Sequence, residues 1–251
     1  MCGLAGILLS PQRRTQREID AIADMFSRLL LHSEHRGPYA TGAMLMTTAG
    51  EMVVEKGPLP AHRFVATNAF RGLCARISTE TTVMMGHTRW PTQGSHRNNN
   101  NNQPLIVPGA DGLAVTHNGN IPQVTRYFDH FHLDREWEVD SELILRLACR
   151  HRHPQGIGLQ SFLRDIAVCT GHLAAVLVSA AQPETVIFIR RDRPLHLAWH
   201  PTKHLLAYAS EPTILDMALH MPLTWQHHAL TPETALVVSC TDLSMSTVLQ
   251  L

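Results

Sequence analysis

Two separate groups of short apolar runs, with helix-like segments between them, constrain this chain more than any other feature. The first group holds the opening run, which stops at Ser10-Pro11, and the runs at 42–48, 51–55, 82–87 and 112–116. The second holds 173–179, 185–189, 195–198, 205–209 and 235–238. Runs of this length bounded by turn residues read as strands. The strongest helix signal lies at 16–32, where Ile19, Ile22, Ala23, Phe26, Leu29 and Leu30 line one face. Thr15 and Glu18 supply a capping box at its start. Further helices are predicted at 141–150, 159–168 and 212–220. Strands in groups with helices clustered between them indicate an α+β layered chain of sheets covered by helices, without doubly wound alternation.

The chain has 251 residues, enough for one large domain or two small ones, and no Gly/Ser/Pro linker divides it. Lys+Arg and Asp+Glu balance at 21 each, and aromatic residues make up 6%. Such a surface has no electrostatic footprint for nucleic acid or anionic membrane. No apolar run approaches the ~20 residues that span a bilayer. The N-terminus lacks the basic region of a secretion signal and reads as a buried strand. Five unevenly spaced cysteines (Cys2, Cys74, Cys149, Cys169 and Cys240) point to free thiols in a reducing cytoplasm.

Several local patterns could carry chemistry, and each has a plainer reading. Cys2 follows Met1 and precedes Gly3. With Met1 removed, one residue offers a thiol and an α-amine that titrates at about 8, so nucleophile and base coincide. Arg89 leaves a strand end within Gly86-His87-Thr88-Arg89-Trp90-Pro91-Thr92. It could grip a carboxylate with its fork, or lie on the surface with its stem on Trp90. Asn118-Gly119 could converge an amide and a backbone N–H on an oxyanion, or form a hairpin turn. Asp140 could hold a ligand ammonium or cap the helix that follows. In His35-Arg36-Gly37, Gly37 reads as a left-handed helix stop. The five asparagines at 98–102 read as a solvated loop. Cys149-x-His151-x-His153 and His227-His228 match no metal-site spacing, so no metal or other cofactor is expected.

Taken in order, Cys2-Gly3, His35-Arg36-Gly37, Gly86-His87-Thr88-Arg89-Trp90-x-Thr92, His117-Asn118-Gly119 and Asp140-x-Glu142 resemble the glutaminase domain of class II glutamine amidotransferases, in the N-terminal-nucleophile hydrolase group. Ala209-Ser210-Glu211-Pro212 looks like a turn that those domains carry late in the chain. The resemblance covers about residues 2–215 and implies a four-layer αββα sandwich of two antiparallel sheets. It assigns Cys2 as nucleophile with its α-amine as base, and Asn118 and Gly119 as the oxyanion hole. Arg89 is matched to the clamp on the substrate α-carboxylate and Asp140 to the partner of its ammonium. Trp90 and Thr92 are matched to a covering loop, and Arg36 to an arginine that organises the nucleophile. Tyr39 stands where several branches carry an acidic residue, and Pro91 where a small residue is usual.

The expectation is a single glutaminase-type domain over 2–251, with no acceptor domain. It would hydrolyse the glutamine amide through a thioester and release ammonia for an acceptor on a separate synthetase or transferase partner. An amidase for another γ-glutamyl compound and a non-catalytic binding module remain alternatives.

Overall fold

The computed structural model describes residues 1–219, 224–244 and 246–251. Its strands are β1 (Gly3–Leu9), β2 (Ala40–Thr47), β3 (Met52–Gly57), β4 (Thr81–Arg89), β5 (Leu105–Val107), β6 (Leu113–Asn120), β7 (Arg152–His153), β8 (Gly156–Ile157), β9 (His172–Ser179), β10 (Gln182–Arg190), β11 (His196–His200), β12 (Leu205–Ala209), β13 (Gln226–Ala229), β14 (Thr234–Ser239) and β15 (Ser246–Gln250). The helices are α1 (Gln16–Ser33), α2 (Ala61–Phe64), α3 (Asn68–Cys74), α4 (Val124–Phe131), α5 (Ser141–Arg150), α6 (Leu159–Val168) and α7 (Pro212–Ala218).

One sheet of seven strands runs β13-β11-β12-β1-β4-β2-β3 and another of six runs β15-β14-β10-β9-β6-β5. The strand pairings in both are antiparallel. Three apolar cores separate four layers. α1, α2, α3 and α7 pack on the outer face of the seven-stranded sheet, through Phe26, Leu29, Ile214 and others. α4, α5 and α6 cover the outer face of the second sheet. Leu4, Leu8, Met44, Met85, Val176 and Phe188 fill the space between the sheets. The αββα sandwich is therefore the architecture. It also explains the unbroken apolar runs, because each central strand has a core on either side.

Side chains alternate across a strand, so parity decides what meets between the sheets. In β1, Leu4 and Leu8 face the inter-sheet core while Ala5, Ile7 and Leu9 face α1. In β4, Val83 and Met85 face inward, which puts His87 and Arg89 on the same face. In β6, Ala114 faces inward, which puts Thr116 and Asn118 with it. β1 pairs with β4 in the register Gly3↔Thr88, so the residue before β1 and the last residue of β4 share one end of the sandwich.

The capping box at Thr15 and Glu18 forms as expected. α5 and α6 have the expected bounds, and α7 ends at Ala218; His220, the expected last residue, lies outside the described residues. α2, α3 and α4 escaped the pattern because each is short. β13 and β15 escaped because exposed edge strands need no apolar run. Among the described residues no helix is long and apolar enough to cross a membrane.

Candidate active site

The site is built where the start of β1, the end of β4 and the end of β6 meet. Cys2 is clasped by the backbone just beyond β4: the Trp90 N–H donates to Sγ at 3.4 Å, and the thiol lies 3.5 Å from the Trp90 carbonyl. Burial pushes the thiol pKa up; the Trp90 N–H, the N-terminal charge and Arg89 pull against it. The net direction favours the neutral thiol. Met1 is 56% exposed, and its amine is held below the usual range by burial and then by the cations Arg36 and Arg193.

Arg36 is buried and donates from Nε to the Cys2 carbonyl at 2.9 Å. Its counter-ion is Glu211, which binds Arg36 Nη1 through Oε1 and His35 Nε2 through Oε2 at 2.9 Å. Glu211 lies in the late Ala-Ser-Glu turn, and Ser210 beside it ties β12 to β1 by accepting from Leu4 N–H at 2.9 Å. The sequence flagged that turn without showing its purpose. Tyr39 plays no part in neutralising Arg36; its ring meets Trp90 edge-on, with centroids 5.2 Å apart.

Gly37 corrects an expectation. Its φ is −163°, extended and not left-handed. Glycine is needed there for proximity, since a Cβ would sit 2.5 Å from the Arg89 carbonyl carbon. Gly119 is also enforced by space: a Cβ would meet the His172 carbonyl oxygen at 1.9 Å. Asn118 and Gly119 lie inside β6, paired with Ala174 and Leu173, so the hairpin-turn alternative does not apply.

Asn118 is 1% exposed, and its Nδ2 has no hydrogen-bond partner among the described residues. Buried amides are nearly always satisfied. This orphan donor lies on the inter-sheet face of β6, at the end where β4 delivers Arg89. Asp140 occupies the N-cap position of α5 without capping it; its Oδ2 accepts from Ile121 N–H at 2.7 Å, just beyond β6.

The backing is polar and fully packed. Gln103 Oε1 accepts from His117 N–H at 2.6 Å, and Gln103 Nε2 donates to Ser141 Oγ at 3.0 Å. The Ser141 hydroxyl is also hydrogen-bonded to His117 Nδ1 at 2.9 Å. His87 Nε2 lies 3.2 Å from the His117 carbonyl, which can only accept, so the proton is on Nε2 and the two sheets are tied across the site. Burial pushes the His87 pKa down to about 3 and keeps that ring neutral. His87, Gln103 and Ser141 went unrecognised as supports because their partners are remote in sequence.

Arg89 is 3% exposed and does not lie on the surface against Trp90. Nη1 donates to Asn102 Oδ1 at 2.8 Å and Ser95 O at 3.3 Å; Nη2 donates to Gln93 O at 2.6 Å and Gly94 O at 2.9 Å. The asparagine run is likewise not simply solvated. Asn101 and Asn102 are buried, and Asn101 Nδ2 bonds to Ser95 O and Glu138. Trp90 is exposed, with its ring against Tyr39, and Thr92 is exposed on the same loop; neither side chain bonds to Cys2. Among the described residues no cluster of three or more metal-ligating side chains occurs, and His151 is engaged by Asp165 at 2.7 Å.

No protein-family model matches the chain. The isomerizing glutamine–fructose-6-phosphate aminotransferase of Chlamydia muridarum is 26% identical over 202 residues, covering 78% of this chain and 30% of its own length. The amidophosphoribosyltransferase of Saccharomyces cerevisiae is 29% identical over 153 residues, 59% of this chain and 27% of its own. The chain thus spans about a third of the length of the curated relatives it matches. The solved glutamine phosphoribosylpyrophosphate amidotransferase from B. subtilis, complexed with ADP and GMP, has a TM-score of 0.73 at 17% identity, over 99% of this chain and 49% of that one. In its ordered motifs and in the two-sheet fold they sit on, the chain is similar to the class II glutamine amidotransferase domains of these enzymes.

Proposed function

We propose that this chain hydrolyses the side-chain amide of glutamine at Cys2, yielding glutamate and ammonia. The observation that carries this reading is the buried, unpartnered Nδ2 of Asn118, which stands ready for an oxyanion. Cys2 Sγ attacks the amide carbon, and its proton passes to the Cys2 α-amine freed by removal of Met1. The proton then goes to the leaving nitrogen, which departs as ammonia, and water cleaves the thioester to restore the thiol. Asn118 and the Gly119 N–H stabilise the tetrahedral oxyanion, each such donor being worth ~10²–10³ in rate. Arg36, anchored by Glu211, holds the Cys2 carbonyl and so sets the nucleophile.

Glutamine is a zwitterion. Asp140 takes its ammonium, and Arg89 supplies the charge for its α-carboxylate. The terminal nitrogens of Arg89 are committed to the 93–102 loop. A direct bond to the carboxylate must therefore use Nε or displace a loop carbonyl. Trp90 and Thr92 sit on the segment that covers the bound ligand.

The reading takes residues 2–251 as one glutaminase-type domain, acting in a reducing compartment such as the cytoplasm because the thiol must stay free. The relatives' greater length supports placing the acceptor chemistry that receives the ammonia outside this sandwich; a separate partner that carries it is part of the proposal. An electrophilic glutamine analogue should label Cys2 one-to-one on a chain lacking Met1, with glutamine protecting. Labelling elsewhere, or hydrolysis that survives Cys2→Ala, overturns the reading.

A further inference from the structure

We propose that Asn102 is a positioning residue that presets Arg89 as an uncompensated cation, selecting a ligand that carries a carboxylate. This rests on the glutamine reading above. The four acceptors around the guanidinium, Gln93 O, Gly94 O, Ser95 O and Asn102 Oδ1, are all neutral. They fix the guanidinium plane and leave its charge intact. The nearby carboxylates are engaged elsewhere, Asp140 on Ile121 N–H and Glu138 on Ser95 N–H and Asn101. Both are felt by Arg89 through space, but neither is bonded to it. A buried cation without a bonded anion is costly, and a ligand carboxylate relieves that cost.

The side chain at 102 must be an amide. Its oxygen accepts from Arg89, while its Nδ2 donates to His96 O at 2.8 Å and to Asn99 Oδ1 at 3.1 Å. An aspartate would face both of those oxygens with lone pairs and would neutralise Arg89; leucine would do neither job. The Asn102 carbonyl is in turn held by Lys56 Nζ at 2.7 Å, which also donates to the Pro104 carbonyl at 3.1 Å. Of the five asparagines, only Asn101 and Asn102 are buried; residues 98–100 are exposed. The run therefore has two halves, an exposed crest and a buried pair, of which Asn102 bonds the cation.

The test compares Asn102→Asp and Asn102→Ala in the full chain, measuring kcat and KM for L-glutamine and the thermal midpoint. With Asp, KM should rise at least about thirty-fold while kcat stays within about threefold, as expected when charge-based binding is lost uniformly from ground and transition states. With Ala, KM should rise less, because the cation persists. A merely structural role gives the opposite pattern: the larger truncation does more harm, kcat and the midpoint fall, and KM holds; that result overturns the assignment. Because Asn102→Asp could fail to fold, arginine side-chain ¹⁵N NMR on the unmutated chain gives a second reading. Arg89 should show separate, slowly exchanging Nη resonances, and a single averaged signal also overturns it. Glutamine hydrolysis that persists in Cys2→Ala would instead sink the underlying reading and leave the NMR result standing.

Discussion

Replacing Asn118 by leucine should separate activity from stability. Leucine has nearly the shape of asparagine and no polar atoms, so the inter-sheet packing beside Ala114 and Thr116 is retained. The amide Nδ2 is buried without a partner, and an unmet buried donor costs roughly 1–3 kcal/mol. Removing it should leave folding stability unchanged or raise it by up to ~2 kcal/mol. For a chain of this size each kcal/mol moves the thermal midpoint by about 2–4 °C, so the expected shift lies between zero and about +8 °C. Glutamine hydrolysis should fall by ~10²–10³, equivalent to ~2.7–4 kcal/mol of lost oxyanion stabilisation. The assay is glutamate release under saturating and limiting glutamine, paired with a melt on the same preparation. A variant that melts several degrees lower while turning over at the wild-type rate would falsify the reasoning, because the amide would then be a structural element.

Two further perturbations test the frame that holds the site. In Gly119→Ala the added methyl meets the His172 carbonyl oxygen at 1.9 Å; the β6–β9 pair must shift, costing about 1–3 kcal/mol, and an unchanged melt would show that the strand gives way freely. Glu211→Gln removes the charge that neutralises Arg36, whose side chain is 3% exposed; breaking such a pair costs up to ~3–5 kcal/mol, reduced here because Glu211 is partly exposed. The Glu211 carboxyl lies below its usual range: burial opposes ionisation, but the bonds from His35 and Arg36 and their charges outweigh it. A depressed carboxyl stabilises the fold above its unfolded pKa of about 4.5, and that contribution is lost as pH falls through the folded value. Glu211→Gln should therefore flatten the acid limb of a stability–pH curve, and identical acid limbs would refute the pairing.

Much of the architecture was legible along the chain because the signal is local. A strand with a core on each face must be apolar throughout, and the runs at 173–179 and 205–209 announce β9 and β12 on that ground alone. A helix with one buried face must repeat its apolar residues every three or four positions, and α1 does. The motifs around Cys2, Arg89, Asn118 and Asp140 stood out by residue type, and strand parity then dictates which of these side chains share the inter-sheet face.

What folding alone decided is the identity of distant partners. Arg36 takes its counter-ion from Glu211, 175 positions away, and nothing in the neighbourhood of either residue encodes that meeting. Two of five identical asparagines are buried and one of them bonds Arg89, a distinction that composition cannot express. Gly37 is required by the backbone it touches and not by its own torsion. Apolar periodicity records whether a residue leaves water; which polar group it then meets depends on how two sheets and their loops come together in space.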